Sequence, residues 1–378
     1  MRNVLAGLLM LCVMAGSFEA GAHEGKTKKR KPLIQIALLL DTSNSMDGLI
    51  NQAKSQLWKI VNEFVTARQH GVRPKIEVAL YEYGNDRLSA KDGYIRKVLG
   101  MTSDLDRVSE SLFALTTNGG SEYCGQVIKV AGRQLDWSSN RNDLKVIIIA
   151  GNEPFTQGPV KYRKAVKGVI KKGVVVNTIH CGPYDVGVKT GWKDGAVLAD
   201  GQYMNIDQDK AVAHIDAPQD DEIAKLGNEL NDTYIPYGDS GGVAYARQAT
   251  EDGNAEAVAA GSMVNRAVFK SSHSYSNESW DLVDAVNTKS VDLDEVDEKK
   301  LPAKMRKMDT KERKKFVEKQ VSKRKKIQSK IRKLNKDRET FVAKKQEEME
   351  EETGEASLDA VMIKSLRTQA VEADFEFE

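Results

Sequence analysis

Past its N-terminal segment the chain lacks most of the features that announce a chemistry. No stretch after residue 16 is apolar for long enough to cross a bilayer as a helix. No glycine-rich turn ending in lysine follows a strand, so the usual phosphate cradle of a nucleotide site is absent. Histidine is scarce, five residues in all. No His-Glu-x-x-His run occurs, and His180 ("NTIHCG") and His214 ("AVAHID") stand alone. A hydrolase built on a metal-activated water needs a positioned base beside the metal, so no catalytic role is expected and no catalytic residue is assigned. Charge gives no direction either: 57 Lys and Arg against 55 Asp and Glu leave a net +2 over 378 residues. Cysteine is nearly missing, with three residues, Cys12, Cys124 and Cys181.

What is present begins with an export-type segment. Arg2, the apolar run Val4 to Gly16 and the small residues Ala20 to Ala22 read as a signal peptide over 1–22, cleaved before His23. A lipid anchor on Cys12 is the competing reading, but "LML" before it lacks the small residue such signals carry. The expected location is therefore periplasmic or secreted, with no transmembrane segment after cleavage. In an oxidising compartment Cys124 and Cys181 can close a structural disulfide.

The remaining chain has 40% hydrophobic residues, enough for one large or two modest domains. Apolar runs ("LIQIALLL", 33–40; "LKVIIIAG", 144–151; "VVVNTIHCG", 174–182) alternate with amphipathic segments. In residues 48–65, for example, Leu49, Ile50, Ala53, Leu57, Ile60, Val61 and Phe64 recur at three- and four-residue spacing. Alternation of this kind predicts an α/β fold, a doubly wound, mostly parallel sheet over 33–238 with helices on both faces. In such sheets ligands bind beyond the carboxyl ends of the strands. There "LLLDTSNSM" places Asp41, Ser43 and Ser45, a carboxylate and two hydroxyls on one short turn. Hard oxygen donors suit a divalent cation such as Mg2+; helix capping is the alternative use of the same residues.

A D-x-S-x-S motif at the end of a buried first strand resembles the metal-ion-dependent adhesion site of the von Willebrand factor type A family. The resemblance covers about residues 33–238 and implies that family's Rossmann-like fold. It also implies a Mg2+, Mn2+ or Ca2+ ion and a protein partner that presents Asp or Glu to it. A second loop, "TTNGGSEYCG", would supply Ser121, with Glu122 beside it. The third element departs from the pattern: "IIIAGNEPF" has Gly151 where most members carry Asp, leaving Asn152 or Glu153 to substitute and metal occupancy open. By the same topology Cys124 and Cys181 lie at the site's end of the sheet, where a disulfide would pin the loop. Residues 182–201 are expected as an extended glycine-rich loop in which Tyr184 and Trp192 either shape the ligand surface or pack it down.

Beyond the resemblance, residues 239–305 read as a helical extension and charged linker. A long helix over 306–350 is capped by Asp309 with Glu312. Its stripe of Val317, Val321, Arg324, Ile327, Ile331, Leu334, Arg338 and Phe341 approaches a heptad seam, usable for a dimeric coiled coil or for packing in cis. Between 311 and 345 there are 16 basic and 4 acidic residues, net +12; from 346 to 378 there are 2 and 11, net −9. The acidic tail, 351–378, would partly neutralise the helix. No nucleic-acid partner is expected, since aromatics for base stacking are few. Two functions follow: a metal-dependent protein-binding module, or a metal-free envelope-associated module acting through its basic helix.

Overall fold

The computed structural model describes residues 30–206, 214–353 and 358–377; the signal segment lies outside them. Lys31–Glu378 forms one compact unit. In chain order its elements are β1 (Leu33–Asp41), α1 (Asp47–Glu63), β2 (Ala67–Arg68), β3 (Lys75–Tyr83), β4 (Ile95–Thr102), α2 (Leu105–Phe113) and α3 (Cys124–Gln134). Then come β5 (Leu144–Gly151), α4 (Tyr162–Ile170), β6 (Val175–Cys181), α5 (Tyr184–Lys189), α6 (Trp192–Val197), β7 (Tyr203–Ile206) and α7 (Asp220–Asn231). The C-terminal part holds α8 (Gly241–Val258), α9 (Ala260–Lys270), α10 (Leu282–Asn287), α11 (Ala303–Arg306), α12 (Thr310–Thr353), α13 (Leu358–Glu372) and β8 (Glu376–Phe377).

Six strands form one sheet in the order β4-β3-β1-β5-β6-β7, all parallel except β4, which runs antiparallel to β3. β1 sits between β3 and β5 and is covered on both faces, which is why it tolerates no polar alternation. Ile34, Ile36, Leu38 and Leu40 enter one core with α1, α2, α7 and α9, while Ala37 and Leu39 enter a second with α3, α4 and Trp192. Each of these Ile and Leu side chains contributes roughly 1.5–3 kcal/mol by leaving water. The chain turns to opposite sides of β1 on its way to β3 and to β5, so the carboxyl ends of β1 and β5 flank the point where the strand order reverses.

The C-terminal part continues the first core. Ile327 and Ile331 of α12, and Met362, Leu366, Ala370 and Phe375 after it, join the residues of α1 and α7. The stripe on α12 thus faces its own chain. Its two arginines make ion pairs there: Arg324 donates to Asp281 and Asp284, both at 2.5 Å, and to Thr233, and Arg338 donates to Asp220 at 2.6 Å. Residues 358–377 are not a free acidic tail: α13 buries an apolar face, and β8 pairs antiparallel with β2. The stretch 182–201 also differs from expectation. It contains α5 and α6 because Trp192, wholly buried against Phe155 at 4.7 Å between ring centroids, anchors a helical turn there.

Candidate metal centre

Three loops meet at the carboxyl edge and are laced together by main-chain hydrogen bonds. Thr42 N–H donates to Tyr83 O (2.8 Å), Asn118 N–H to Thr42 O (2.9 Å) and Asn44 N–H to Gly119 O (3.0 Å). The turn after β1 is further held by Asp41, whose Oδ1 accepts from the Ser43 N–H at 2.8 Å. Asp41 and Ser43 are wholly buried, as a strand end between two parallel neighbours must be.

Glu122, also buried, arrives from the loop before α3; its main-chain N–H donates to Gln157 Oε1 at 2.7 Å. Its carboxyl abuts that of Asp41. Burial first, and then the neighbouring acid, holds Glu122 far above the usual carboxylate range, and burial likewise raises Asp41. Gly84 makes the approach possible. Its φ is +83°, and a Cβ there would lie 2.7 Å from Asp41 Oδ1 and 2.8 Å from Glu122 Cγ. Ser121 forms a bridge with this same Gly84, which places it at the rim beside Glu122.

From the end of β5, Asn152 donates its Nδ2 to Ser45 Oγ at 3.1 Å. Gly151 explains the departure from the family pattern: a Cβ at this position would lie 3.0 Å from Asp41 Oδ2 but only 2.5 Å from the Tyr83 hydroxyl. That hydroxyl donates to Ala150 O at 2.9 Å and occupies the space a side chain would need. Glu153 is half-buried; its carbonyl accepts from Trp192 Nε1 at 2.9 Å. Its carboxylate does not close with those of Asp41 and Glu122 into a group within 4.8 Å. Among the described residues only His214, Asp216 and Asp220 form such a group, and Asp220 is already paired with Arg338.

Four buried oxygens here lack a hydrogen-bond partner: Asp41 Oδ2, Ser43 Oγ, Glu122 Oε2 and Asn152 Oδ1. Unpaired buried acceptors cost about 1–3 kcal/mol each, and an all-oxygen set is the donor chemistry of a hard divalent cation. The residues therefore fit such an ion, with Asp41, Ser43, Ser45, Ser121, Glu122 and Asn152 available to hold it. His180 borders the site, its Nε2 at 3.2 Å from Asn152 O, and burial lowers its pKa, so its neutral form is favoured.

The expected disulfide does not form. Cys124 and Cys181 are both buried free thiols, and they belong to different cores. Side chains alternate along β6, so Cys181 points to the face of the sheet opposite Cys124. Sequence reasoning also missed Tyr83, Gly84 and Gln157. Tyr83 ends the strand beside β1 and Gly84 follows it, at the carboxyl edge where ligands of such sheets bind.

Residues 35–191 match the family model of the von Willebrand factor type A domain, and this part of the chain is such a domain. Domains of this type are commonly protein-interaction modules, some with a metal site. No curated protein matches the chain. Among solved structures it is similar to the conserved hypothetical protein BatB from Bacteroides thetaiotaomicron, at 16% identity and TM-score 0.36, over 46% of this chain and 90% of that one. It is also similar to an aerotolerance-related membrane protein from Bacteroides fragilis NCTC 9343, at 17% identity and TM-score 0.32, over 46% and 92%. A third is proximal thread matrix protein 1 from the mussel byssus with a zinc-occupied metal motif, at 16% identity and TM-score 0.34, over 48% and 43%.

Proposed function

We propose that the chain is an exported protein-binding module that holds a divalent cation at the carboxyl edge of its sheet and through it captures an Asp or Glu side chain of a partner protein. The observation that carries this reading is the set of four buried oxygens, from three separate loops, with no hydrogen-bond partner. Asp41 and Glu122 supply negative charge, Ser43, Ser45 and Ser121 supply hydroxyls, and Asn152 supplies an amide oxygen. The ion would supply a positive centre for the incoming carboxylate, a charge-assisted contact that neutral donors cannot match. The exposed Tyr184 and Val186 of α5, the helix that follows β6 and packs Gly187 against His180, offer apolar surface on which such a partner would extend its contact.

The test is calorimetry with Mg2+, Mn2+ and Ca2+ on the purified chain and on Asp41→Ala and Glu153→Ala. Chelator-reversible binding in the parent, lost in Asp41→Ala and kept in Glu153→Ala, is the expected result. Absence of binding up to millimolar ion, with and without an acidic peptide, would sink the proposal.

A further inference from the structure

A second surface lies on the C-terminal part, away from the carboxyl edge. α10, the turn at Leu293–Glu295 and the first half of α12 enclose an open trough of about 1020 Å³. Its floor is apolar: Val286 and Val321 are half-buried, and Leu293 and Val317 belong to a small core of their own with Leu282 and Met305. Its rim carries the exposed lysines Lys289, Lys325 and Lys326.

Other cations of this region are committed within the chain. Arg313 donates to Glu298 at 2.6 Å, Lys314 to Asp294 at 2.6 Å and Arg324 to Asp281 at 2.5 Å. Among the described residues Lys289, Lys325 and Lys326 meet no carboxylate within salt-bridge distance. The lining holds two acidic residues, Glu318 and Asp292, the latter also accepting from the Asp294 N–H at 3.0 Å, fewer than the three rim lysines they face. An apolar floor flanked by unmatched positive charge is complementary to one kind of ligand: a helix with an apolar stripe and acidic flanks.

We propose that this trough is a docking groove for an acidic amphipathic helix of a partner protein. Valines and leucine would receive the stripe, and Lys289, Lys325 and Lys326 would select for Glu or Asp beside it. A nucleic-acid strand is disfavoured because the lining has no aromatic face on which a base could stack. The groove owes nothing to the proposed metal centre, so the two stand or fall separately.

The experiment uses the full chain and fluorescently labelled peptides of about four helical turns, with leucines at i, i+3, i+4 and i+7 and the other positions all Glu, all Ser or all Lys. Anisotropy should rank affinity Glu over Ser over Lys, with the Glu peptide weakened by salt. Val321→Glu, and separately Lys325→Glu with Lys326→Glu, should weaken the Glu peptide on the order of tenfold, with circular dichroism and Tm unchanged. Asp41→Ala should bind it like the parent. A flat ranking, no binding by the Glu peptide at millimolar concentration, or binding indifferent to the groove variants would overturn the proposal. So would tighter binding to phosphatidylglycerol vesicles through the same residues, which would assign the groove to a lipid surface. A concentration-dependent dimer in sedimentation, abolished by Val321→Glu, would assign it to a second copy.

Discussion

Two acidic pairs in this chain meet the same electrostatic problem in opposite ways. At the carboxyl edge Asp41 and Glu122 press their carboxyls together in a buried site, and among the described residues no cationic side chain pairs with either. In the C-terminal part Asp281, wholly buried, and Asp284 share the guanidinium of Arg324, which also lies 4.1 Å over the ring of Tyr234. Burying a charge without a partner costs several kcal/mol. One pair has its cation built into the sequence and serves to fasten α12 to the body. The other has no cation in the chain, and its raised pKa lets a proton held between the acids stand where a bound cation would go.

Removing the built-in cation should have the largest effect. Arg324→Ala leaves Asp281 and Asp284 facing each other with no counter-charge and should cost about 3–5 kcal/mol in guanidinium unfolding. A loss under about 1 kcal/mol would mean that water reaches the pair, and the contrast between the two sites would weaken.

The opposite sign is expected at the other pair. With chelator present, Glu122→Gln removes one of two facing acids and should stabilise the chain by about 1–3 kcal/mol. The pH dependence follows from the raised pKa of both groups. The folded state holds protons that the unfolded chain has already released. Stability of the parent should therefore fall as pH rises from the ordinary carboxylate range towards the raised folded values. Thermal melts of the parent in chelator should show this decline between acid and neutral pH, and Glu122→Gln should flatten it. A parent curve that rises over that interval would contradict the arrangement.

The smallest effect belongs to a carboxylate that is satisfied without any cation. Asp309 accepts from the Glu312 N–H at 2.8 Å, and Glu312 returns the bond to the Asp309 N–H at 3.0 Å, a reciprocal cap at the start of α12. Asp309→Ala should cost about 1 kcal/mol by the same unfolding measurement, well below Arg324→Ala.

The strand and helix order of the first two hundred residues was legible because central strands and amphipathic helices leave opposite patterns, and β1, α1, β5 and β6 display them clearly. Asp41, Ser43 and Ser45 were legible as a cluster because the carboxyl-edge rule needs only the topology. Tyr83 and Gly84 were not, since nothing local shows that the hydroxyl of one stands where a side chain at position 151 would go, or that the other lets two acids touch. Glu153 was attractive for its charge and its place in the chain; its carboxylate acts on Asp41 and Glu122 as a like charge without closing with both into one tight group.

The arginines of α12 carry the same lesson further. As sequence, Arg324 and Arg338 interrupt a heptad stripe and leave its use undecided between a dimer and packing in cis. In the fold they are the residues that join the helix to α7 and to the start of α10, through carboxylates up to 118 positions away. Periodicity by itself determined that α12 is a helix with one buried face, and composition determined that its other face is basic. Which surface covers that face, on which side of the sheet Cys181 falls and which acids receive a cation were decided only by the tertiary structure. Each of those depends on distances between residues remote in sequence, and the energy of a buried charge is set by such distances.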